Sequence, residues 1–341
     1  MNVLQQIFTD YYEEIEYILH PRKTEMENID KMIHCGDPSF GGAMYGCPHC
    51  GKLKFVPFRC HSRFCPTCGN KYTMDRTTSM SFKLVNVTHR HCVFTIDENL
   101  REFFLKDRSL LDCLFHSVNS VITRMFFKMN KSKNFTPGFI MVLHTFGRDL
   151  KWNPHIHRLV CEEAFDTKKN KMKNYSFISY EKLRKTWMYK VLDLLSKQEL
   201  ENFNYLKQRF YKELVNGFYV YAKKKEKDND DNNIDDCVNY ITRYTSRPPM
   251  AENRIIKYED DKKMIRWWYN RHEDEKYIEV YENAENFINN LILHCPDENF
   301  KMIRYYDFYS NRNKKLLEKI YELYGIKKKK RIRNLKERKK I

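Results

Sequence analysis

The sequence predicts an α+β fold in which a small cysteine-rich module precedes a mostly antiparallel sheet flanked by helices. Three observations predict it. Apolar residues recur at helical spacing over residues 3–19, and residues 36–70 are rich in Gly, Pro and Cys without periodicity. Further along, β-branched and aromatic residues concentrate in short runs that do not alternate strictly with helical segments, which favours an antiparallel sheet.

The predicted elements follow the chain in order, and turn residues separate them. Helices are predicted over 3–19, over 100–129 in one or two segments, over most of 180–222, and just before Pro248. Strands are predicted at His89–Ile96, at Phe139–His144, at His155–Cys161 and in three runs within 254–281. Because Gly147–Pro154 carries turn residues, the second and third strands are expected to form a hairpin. The charged stretch 223–236 is expected to be an exposed loop.

The charge balance points to a polyanionic partner. The 341 residues contain 62 Lys and Arg against 45 Asp and Glu, for a net charge of +17, and residues 327–341 hold ten Lys or Arg and one acid. A nucleic acid fits this balance, with an anionic membrane surface as the rival. No apolar run approaches the roughly 20 residues that span a bilayer. The acidic N-terminus lacks the features of a secretion signal, so a cytoplasmic protein without membrane contact is expected.

The cysteines predict a metal site. Six of the eleven fall between Cys35 and Cys68. Two C-x-x-C pairs separated by fourteen residues can each present two thiolates to one tetrahedral zinc ion, and they consist of Cys47, Cys50, Cys65 and Cys68. Buried free cysteines and a redox-active pair are the alternatives. Cys35, Cys60 and His61 are either ligands of a second ion or small core residues.

The cysteine module is also basic. Between residues 47 and 76 there are six Lys or Arg and one acid. A basic zinc module commonly contacts phosphates, which makes Arg59, Arg63 and Lys71 candidate DNA-binding residues. The alternative is a solvated surface.

A second metal site is predicted on the hairpin. His155 and His157 lie on one face of a strand, because alternate residues share a face. If the hairpin turns near residues 150–151, His144 on the preceding strand comes opposite His157, where opposed Cβ atoms are about 4.5–5.5 Å apart. Three imidazoles can then share a divalent ion. The alternative is three hydrogen-bonded histidines on a sheet surface. Asp149 and His91 are weaker ligand candidates.

A pair of tyrosines stands among arginines. Tyr240 and Tyr244 are four residues apart and share one helix face, with Arg243 and Arg247 on an adjacent stripe. Taken alone, such a pair predicts packing. A tyrosine is also a nucleophile toward phosphorus when a metal ion or an arginine stabilises the developing charge.

Several stretches together resemble the two-tyrosine HUH transposases of rolling-circle insertion sequences, the insertion-sequence ninety-one family. "HUH" denotes two histidines around a hydrophobic residue, here His155-Ile156-His157. VLHTFGRDLKWNPHIHRLV resembles the metal-strand region, and NYITRYTSRPPMAENRI resembles the two-tyrosine helix. RCHSRFCPTCGNKY resembles the end of the zinc-binding module, HCVFTIDENLR the first strand, and MIRYYDFYSNR the C-terminal signature. The matches run from about residue 30 to residue 312 in the family's order.

The resemblance implies an enzyme that cuts and rejoins single-stranded DNA through a 5′-phosphotyrosine. It implies Tyr240 and Tyr244 as nucleophiles and a catalytic Mg²⁺ or Mn²⁺ at His155 and His157, with His144 as third ligand by likeness to conjugative relaxases. It also implies structural Zn²⁺ in the N-terminal module. No nucleotide cofactor is expected, since the phosphoester conserves the bond energy and the chain lacks a G-x-x-x-x-G-K-[ST] loop.

The implied organisation is a zinc-binding segment over 1–80, an HUH endonuclease segment over 85–312, and a basic C-terminal helix or tail over 313–341. The chain departs from the family pattern at Phe64 and Asn153, where histidine is usual or frequent, and its charged loop is long. Two other functions stay open: a plasmid rolling-circle replication initiator or relaxase, and a non-catalytic zinc-containing nucleic-acid-binding protein.

Overall fold

A computed structural model of the chain describes residues 2–62, 64–131, 134–174, 180–222 and 248–326. The chain divides into two compact units, each assembled from separate stretches. The first contains residues 1–75, 145–153 and 246–300, and the second contains residues 76–144, 154–245 and 301–341.

This division differs from the expected succession of segments 1–80, 85–312 and 313–341. Residues 145–153 and 246–300 belong with the N-terminal unit, because their apolar side chains share its core. Leu150 and Trp267, for example, are buried in the same cluster as Leu4 and Phe8.

Helices and strands are interspersed along the chain without strict alternation. The helices are α1 (Val3–Asp10), α2 (Lys23–Ile33), α3 (Pro66–Ser81), α4 (Glu98–Lys106), α5 (Leu111–Asn130), α6 (Tyr180–Leu195), α7 (Phe203–Glu213), α8 (Ala284–Ile292) and α9 (Lys314–Leu323). The strands are β1 (Gly42–Gly46), β2 (Leu53–Pro57), β3 (His89–Thr95), β4 (Phe135–Phe146), β5 (Trp152–Asp166), β6 (Lys171–Asn174), β7 (Val220–Ala222), β8 (Ile255–Glu259), β9 (Met264–Asn270), β10 (Tyr277–Asn283) and β11 (Ile303–Asp307).

The first unit combines helices with two small antiparallel sheets. β1 and β2 form a hairpin, and β8, β9 and β10 form a three-stranded sheet with β9 in the centre. Its core joins the apolar faces of α1 and α2 to β9 and α8, with Ile7, Ile29, Ile265 and Phe287 fully buried. Burial of this apolar surface is the main stabilising contribution.

The second unit is organised around a larger sheet in the order β11-β4-β5-β3-β7, with β6 paired to the distal part of β5. The pairs β11–β4, β3–β5, β3–β7 and β5–β6 are all antiparallel. On β5, His157 is the register partner of Val93 and His155 that of Thr95. At Gly138 of β4, an added Cβ atom would lie 2.1 Å from the Phe308 ring, so glycine is required for this contact.

Both faces of the sheet pack against helices. On the histidine face, Ile140, Val142 and Leu159 share a buried cluster with residues of α3 and α9. On the opposite face, Phe94 of β3 contacts Trp187 of α6 edge to face, with ring centroids 5.4 Å apart. The central strand β5 is therefore held between two helical layers.

The predicted fold class is confirmed. Each predicted strand run has a counterpart, and β4 and β5 form the expected hairpin, whose turn places Leu150 at a φ of +62°. The helix predicted over 3–19 is instead broken after α1. Within the described ranges, no helix is long and apolar enough to cross a membrane.

Candidate metal centres

Three histidines converge where β4 ends and β5 begins. His144, His155 and His157 each offer a ligand atom that lies within 4.8 Å of the other two. The Nε2 atoms of His155 and His157 are 3.1 Å apart. The ring centroid of His144 lies 4.3 Å from that of His157 and 5.3 Å from that of His155. The structure thus brings together all three residues that the hairpin argument selected.

This spacing fits a shared divalent ion. Neighbouring ligands of an octahedral ion lie about 3.0 Å apart when the metal–ligand distance is about 2.1 Å. The 3.1 Å separation between the Nε2 atoms of His155 and His157 matches that value. The donor set is uncharged, so a bound cation would keep most of its positive charge for an anionic substrate.

The surroundings keep the central imidazole neutral. Burial holds the pKa of His157 well below its usual range, and the neighbouring His144, His155 and His91 act in the same direction. A neutral imidazole offers a lone pair to a metal ion, whereas an imidazolium does not. His144 and His157 are buried and His155 is half-buried.

His91 of β3 contacts this group directly. Its Nε2 lies 3.0 Å from Nδ1 of His157, and the two rings are inclined by only 9°. The sequence singled out His91 only as a weak ligand candidate, and the structure instead places it behind His157. Asp149 does not join the group: its carboxylate accepts a hydrogen bond from the backbone N–H of Lys151 within the hairpin turn.

Four cysteines form a second cluster, in the first unit. Their sulfur atoms lie within 4.8 Å of one another, and they are Cys35, Cys60, Cys65 and Cys68. Cys35 follows α2, Cys60 follows β2, and the other two lie at the start of α3. The Sγ atoms of Cys35 and Cys68 are 3.6 Å apart, and tetrahedral zinc with Zn–S bonds of about 2.3 Å requires about 3.8 Å.

Neighbouring side chains hold these cysteines in place. The buried amide of Gln5 donates to the carbonyl oxygens of Met32 and Cys35, at 2.8 and 3.1 Å, and so fixes the backbone after α2. Phe64, which departs from the pattern of the resemblance described above, packs against Phe8 with ring centroids 5.5 Å apart. This departure therefore supplies a core residue beside the cluster.

The thiols of this cluster interact too strongly to ionise independently. A hydrogen bond from Cys60 lowers the pKa of Cys65 to about 5, whereas burial raises the pKa of Cys68 to about 11. Four thiolates at this distance repel one another unless a cation compensates their charge. The donor set, spacing and charge all fit zinc.

The four converging cysteines differ from the predicted set of zinc ligands. Cys65 and Cys68 are grouped with Cys35 and Cys60, and Cys47 and Cys50 are not among these four. Cys47 and Cys50 lie at the tip of the β1–β2 hairpin, where Cys50 is exposed. Hydrogen bonds from the backbone N–H groups of Cys50 and His49 lower the pKa of Cys47, as expected for a C-x-x-C turn. The prediction rested on the spacing of the two C-x-x-C pairs, whereas the converging set also draws on Cys35 and Cys60.

The other predicted site residues divide into two groups. Arg59 and Lys71 are exposed in the first unit, as a DNA contact requires. His61 has a left-handed backbone at φ +54° and is not part of the cysteine cluster. The remaining predictions lie outside the described residues: Arg63, Tyr240, Arg243, Tyr244, Arg247, the loop 223–236 and the tail 327–341.

Two family models match the chain. The model described as a transposase zinc-binding domain covers residues 4–96, which include the whole cysteine cluster. The model described as a putative transposase covers residues 138–316, which include the three converging histidines. The chain belongs to the IS91-type transposase family.

Named transposases support this membership. The chain is 31% identical to the transposase for insertion sequence element IS801 of Pseudomonas savastanoi pv. phaseolicola, over 88% of this chain and 74% of that protein. It is 26% identical to the putative transposase y4qJ of Sinorhizobium fredii, over 82% of this chain and 72% of that protein. No solved structure shows a significant match to the IS91-type chain.

Proposed function

We propose that this IS91-type transposase cuts and rejoins single-stranded DNA through a 5′-phosphotyrosine during rolling-circle transposition. One observation carries the proposal. Three imidazoles from β4 and β5 converge within 4.8 Å, in a segment that matches the transposase family model. Packing alone does not require the nitrogen atoms of three histidines to converge on one point.

The histidines supply the electrophilic half of the proposed reaction. His144, His155 and His157 would hold Mg²⁺ or Mn²⁺, which when bound polarises the scissile phosphate. Because the imidazoles are fixed on two hydrogen-bonded strands, no side chain of this set must reorganise as charge develops on the phosphate oxygens.

The tyrosines supply the nucleophilic half. The oxygen of Tyr240 or Tyr244 forms a bond to phosphorus, and the bond from phosphorus to the 3′-oxygen breaks. The phenolic proton is released, and the leaving 3′-oxygen takes up a proton to become a hydroxyl. The phosphotyrosine conserves the energy of the broken ester, so rejoining needs no nucleotide cofactor. Two tyrosines allow two linked strand transfers.

The basic residues provide the contacts to DNA. We assign phosphate contacts to Arg59, Arg63 and Lys71 of the zinc-binding unit and to Arg243 and Arg247 beside the tyrosines. The zinc ion has a structural role in this account, because its ligand set of four thiolates leaves no open position. A DNA-cutting enzyme of an insertion sequence acts on chromosomal and plasmid DNA, which places it in the cytoplasm.

The proposal is tested with single-stranded oligonucleotides that carry the ends of the element. With Mn²⁺ or Mg²⁺, the wild-type protein is expected to form a covalent adduct that migrates more slowly on a denaturing gel. His155→Ala removes a ligand and should lower the rate of adduct formation by 100-fold or more. His116→Ala is the matched control, because His116 is exposed on α5 and is not part of the cluster.

Two outcomes would contradict the metal role. One is an adduct that forms at the wild-type rate in His155→Ala. The other is an adduct whose rate is unaffected by EDTA in protein that has kept its zinc.

A further inference from the structure

We propose that His91 is a positioning residue that fixes the tautomer of His157, so that Nε2 of His157 presents its lone pair to the metal ion. This inference rests on the proposed metal role of His144, His155 and His157. It concerns a residue outside that ligand set, since the group of converging ligand atoms contains those three histidines and not His91.

The geometry between His91 and His157 is that of a hydrogen bond that lies in the plane of both imidazole rings. Nε2 of His91 and Nδ1 of His157 are 3.0 Å apart, the rings are inclined by 9°, and their centroids are 5.2 Å apart. Lone pairs and N–H bonds of imidazole lie in the ring plane, so a strong N–H···N bond requires nearly coplanar rings. Rings stacked face to face would have closer centroids and no short contact between nitrogens.

The direction of this hydrogen bond follows from the other nitrogen of His157. Its Nε2 lies 3.1 Å from Nε2 of His155, inside the group of converging ligand atoms. A metal ligand must offer a lone pair there, so the proton of neutral His157 resides on Nδ1. Nδ1–H then donates to Nε2 of His91, and the proton of neutral His91 resides on its own Nδ1.

The sheet register and the burial of both residues mean that water cannot easily replace His91 as the hydrogen-bond acceptor of His157. His91 is the register partner of Leu159, so it lies diagonally next to His157 on the same face of neighbouring strands. His91 and His157 are 9% and 7% exposed, so water has little access to this side of His157. Without the acceptor, a buried N–H would lose its partner, and the tautomer with the proton on Nε2 would become favourable. That tautomer cannot bind the ion.

The experiment compares two substitutions that differ mainly in the acceptor. His91→Gln retains an oxygen that can accept the Nδ1–H hydrogen bond, whereas His91→Leu has no polar atom. We expect His91→Leu to weaken Mn²⁺ binding 10- to 100-fold in titration calorimetry, as is typical for residues behind metal ligands. We expect His91→Gln to stay within about 3-fold of wild type. Unchanged zinc content and melting temperature show that each variant is folded.

A second readout is independent of metal. In ¹⁵N-histidine correlation spectra of protein free of the catalytic ion, His157 should be protonated on Nδ1 in the wild type and in His91→Gln. In His91→Leu, the population with the proton on Nε2 should increase. Equal losses of Mn²⁺ affinity in both variants, or wild-type affinity in His91→Leu, would overturn the inference.

The control separates this inference from the proposed function. His155→Ala should abolish Mn²⁺ binding if the imidazole group is a metal site. If His155→Ala fails to do so, the proposed function fails. If His155→Ala abolishes binding and His91→Leu binds like wild type, only the role of His91 is wrong.

A different observation carries a second inference: we infer that the hairpin of β1 and β2 binds unpaired bases of single-stranded DNA. Large apolar side chains are exposed on both of its faces and just after it, with Met44 at 60%, Tyr45 at 58%, Leu53 at 71% and Phe58 at 60% exposure. The register places Met44 opposite Phe55 on one face and Tyr45 opposite Lys54 on the other. An exposed apolar surface of this kind marks an interaction site.

The positive charge around the hairpin indicates which ligand it binds. From Pro38 to Met74 the chain contains no Asp or Glu, and Lys52, Lys54 and Arg59 flank the exposed aromatic residues. Unpaired DNA combines nucleobases that can stack with a polyanionic backbone. Aromatic side chains interleaved with lysine and arginine fit both features. A protein partner would need to be apolar and acidic, and its detection is an outcome of the test.

The test measures binding of a fluorescent twenty-nucleotide oligothymidine by anisotropy at fixed salt. The double variant Tyr45→Ser and Phe58→Ser should weaken binding at least 5-fold, as expected for the loss of base stacking. Tyr205→Ser is the matched control, because Tyr205 is 74% exposed on α7, and it should change affinity less than 2-fold. Wild-type affinity in the hairpin variant, with loss of self-association in sedimentation, would show a protein interface and overturn the inference.

Discussion

At the scale of single residues, the alternation of side chains along a strand determines which of them surround the candidate metal site. His155 and His157 share a face of β5, and the tight turn after β4 brings His144 beside them. This much could be predicted from the sequence, because the period of a strand and the centre of a hairpin are local properties. The hydrogen bond from His157 to His91 could not, because it depends on the register between β5 and β3.

The zinc ligands give the first prediction at this scale. Cys35→Ser should lose one equivalent of zinc in elemental analysis, because Cys35 belongs to the group of four converging thiols. Cys47→Ser should retain that equivalent, since Cys47 lies on the hairpin instead. Loss of the same zinc in Cys47→Ser, with retention in Cys35→Ser, would restore the ligand set that the C-x-x-C spacing suggested.

Asp307 gives a prediction about pH. Burial raises the pKa of Asp307 to about 6, although Arg158 acts in the opposite direction. The pKa of an aspartate in the unfolded chain is about 3.9, so Asp307 binds its proton more tightly in the folded state. The resulting stabilisation is complete below pH 4 and is lost as the pH rises to 6 and beyond. We expect the free energy of unfolding of Asp307→Asn, relative to wild type, to increase by on the order of 2 kcal/mol between pH 4 and pH 7.

Chemical denaturation at several pH values measures this difference. A pH-independent difference between Asp307→Asn and wild type would contradict the assigned pKa.

At the scale of elements, β3 and β5 are joined by a buried ion pair as well as by their backbone hydrogen bonds. Nε of Arg90 lies 2.6 Å from Oε1 of Glu162, and the side chains are 10% and 2% exposed. Removal of one partner leaves an uncompensated buried charge. Glu162→Gln should therefore lower the free energy of unfolding by about 3 kcal/mol in urea titration.

The matched control is an exposed pair. Lys106 and Glu102 of α4 are 73% and 71% exposed, and Glu102→Gln should change stability by less than about 0.5 kcal/mol. Similar effects of the two substitutions would show that the Arg90–Glu162 pair is as hydrated as a surface pair.

Strands could be predicted from the sequence where they depend on the local pattern of residues. Runs of β-branched and aromatic residues located β3, β4 and β5, but they gave strands shorter than the observed 12 residues of β4 and 15 residues of β5. The extra length includes Pro137, Gly138 and Pro154, which disfavour strands by local propensity. Tertiary packing, such as the Phe308 ring on Gly138, overrides that propensity.

At the scale of the whole molecule, the first unit is assembled from stretches far apart in sequence. Arg22 donates to the carbonyl oxygen of Cys295 at 2.8 Å and also pairs with Asp297. A sequence alone offers no signal for such a contact, because the two partners are 273 and 275 positions apart. Such contacts explain why stretches far apart in sequence belong to the first unit.

The net charge of +17 gives a prediction at this scale. Binding of single-stranded DNA should weaken steeply with salt, by a logarithmic slope of about −0.7 for each phosphate neutralised. Deletion of residues 327–341, which carry ten Lys or Arg, should make this slope shallower. A slope that is unchanged by the deletion would show that these residues do not contact phosphates.

The central claim is that the chain breaks DNA by tyrosine attack next to an ion held by the imidazole group. Mass spectrometry of the protease-digested protein–DNA adduct tests it most directly. The account predicts a nucleotide attached to the peptide that contains Tyr240 and Tyr244, absent in the double variant Tyr240→Phe and Tyr244→Phe and in His155→Ala. An adduct that persists in the double variant, or that maps to another residue, would contradict it.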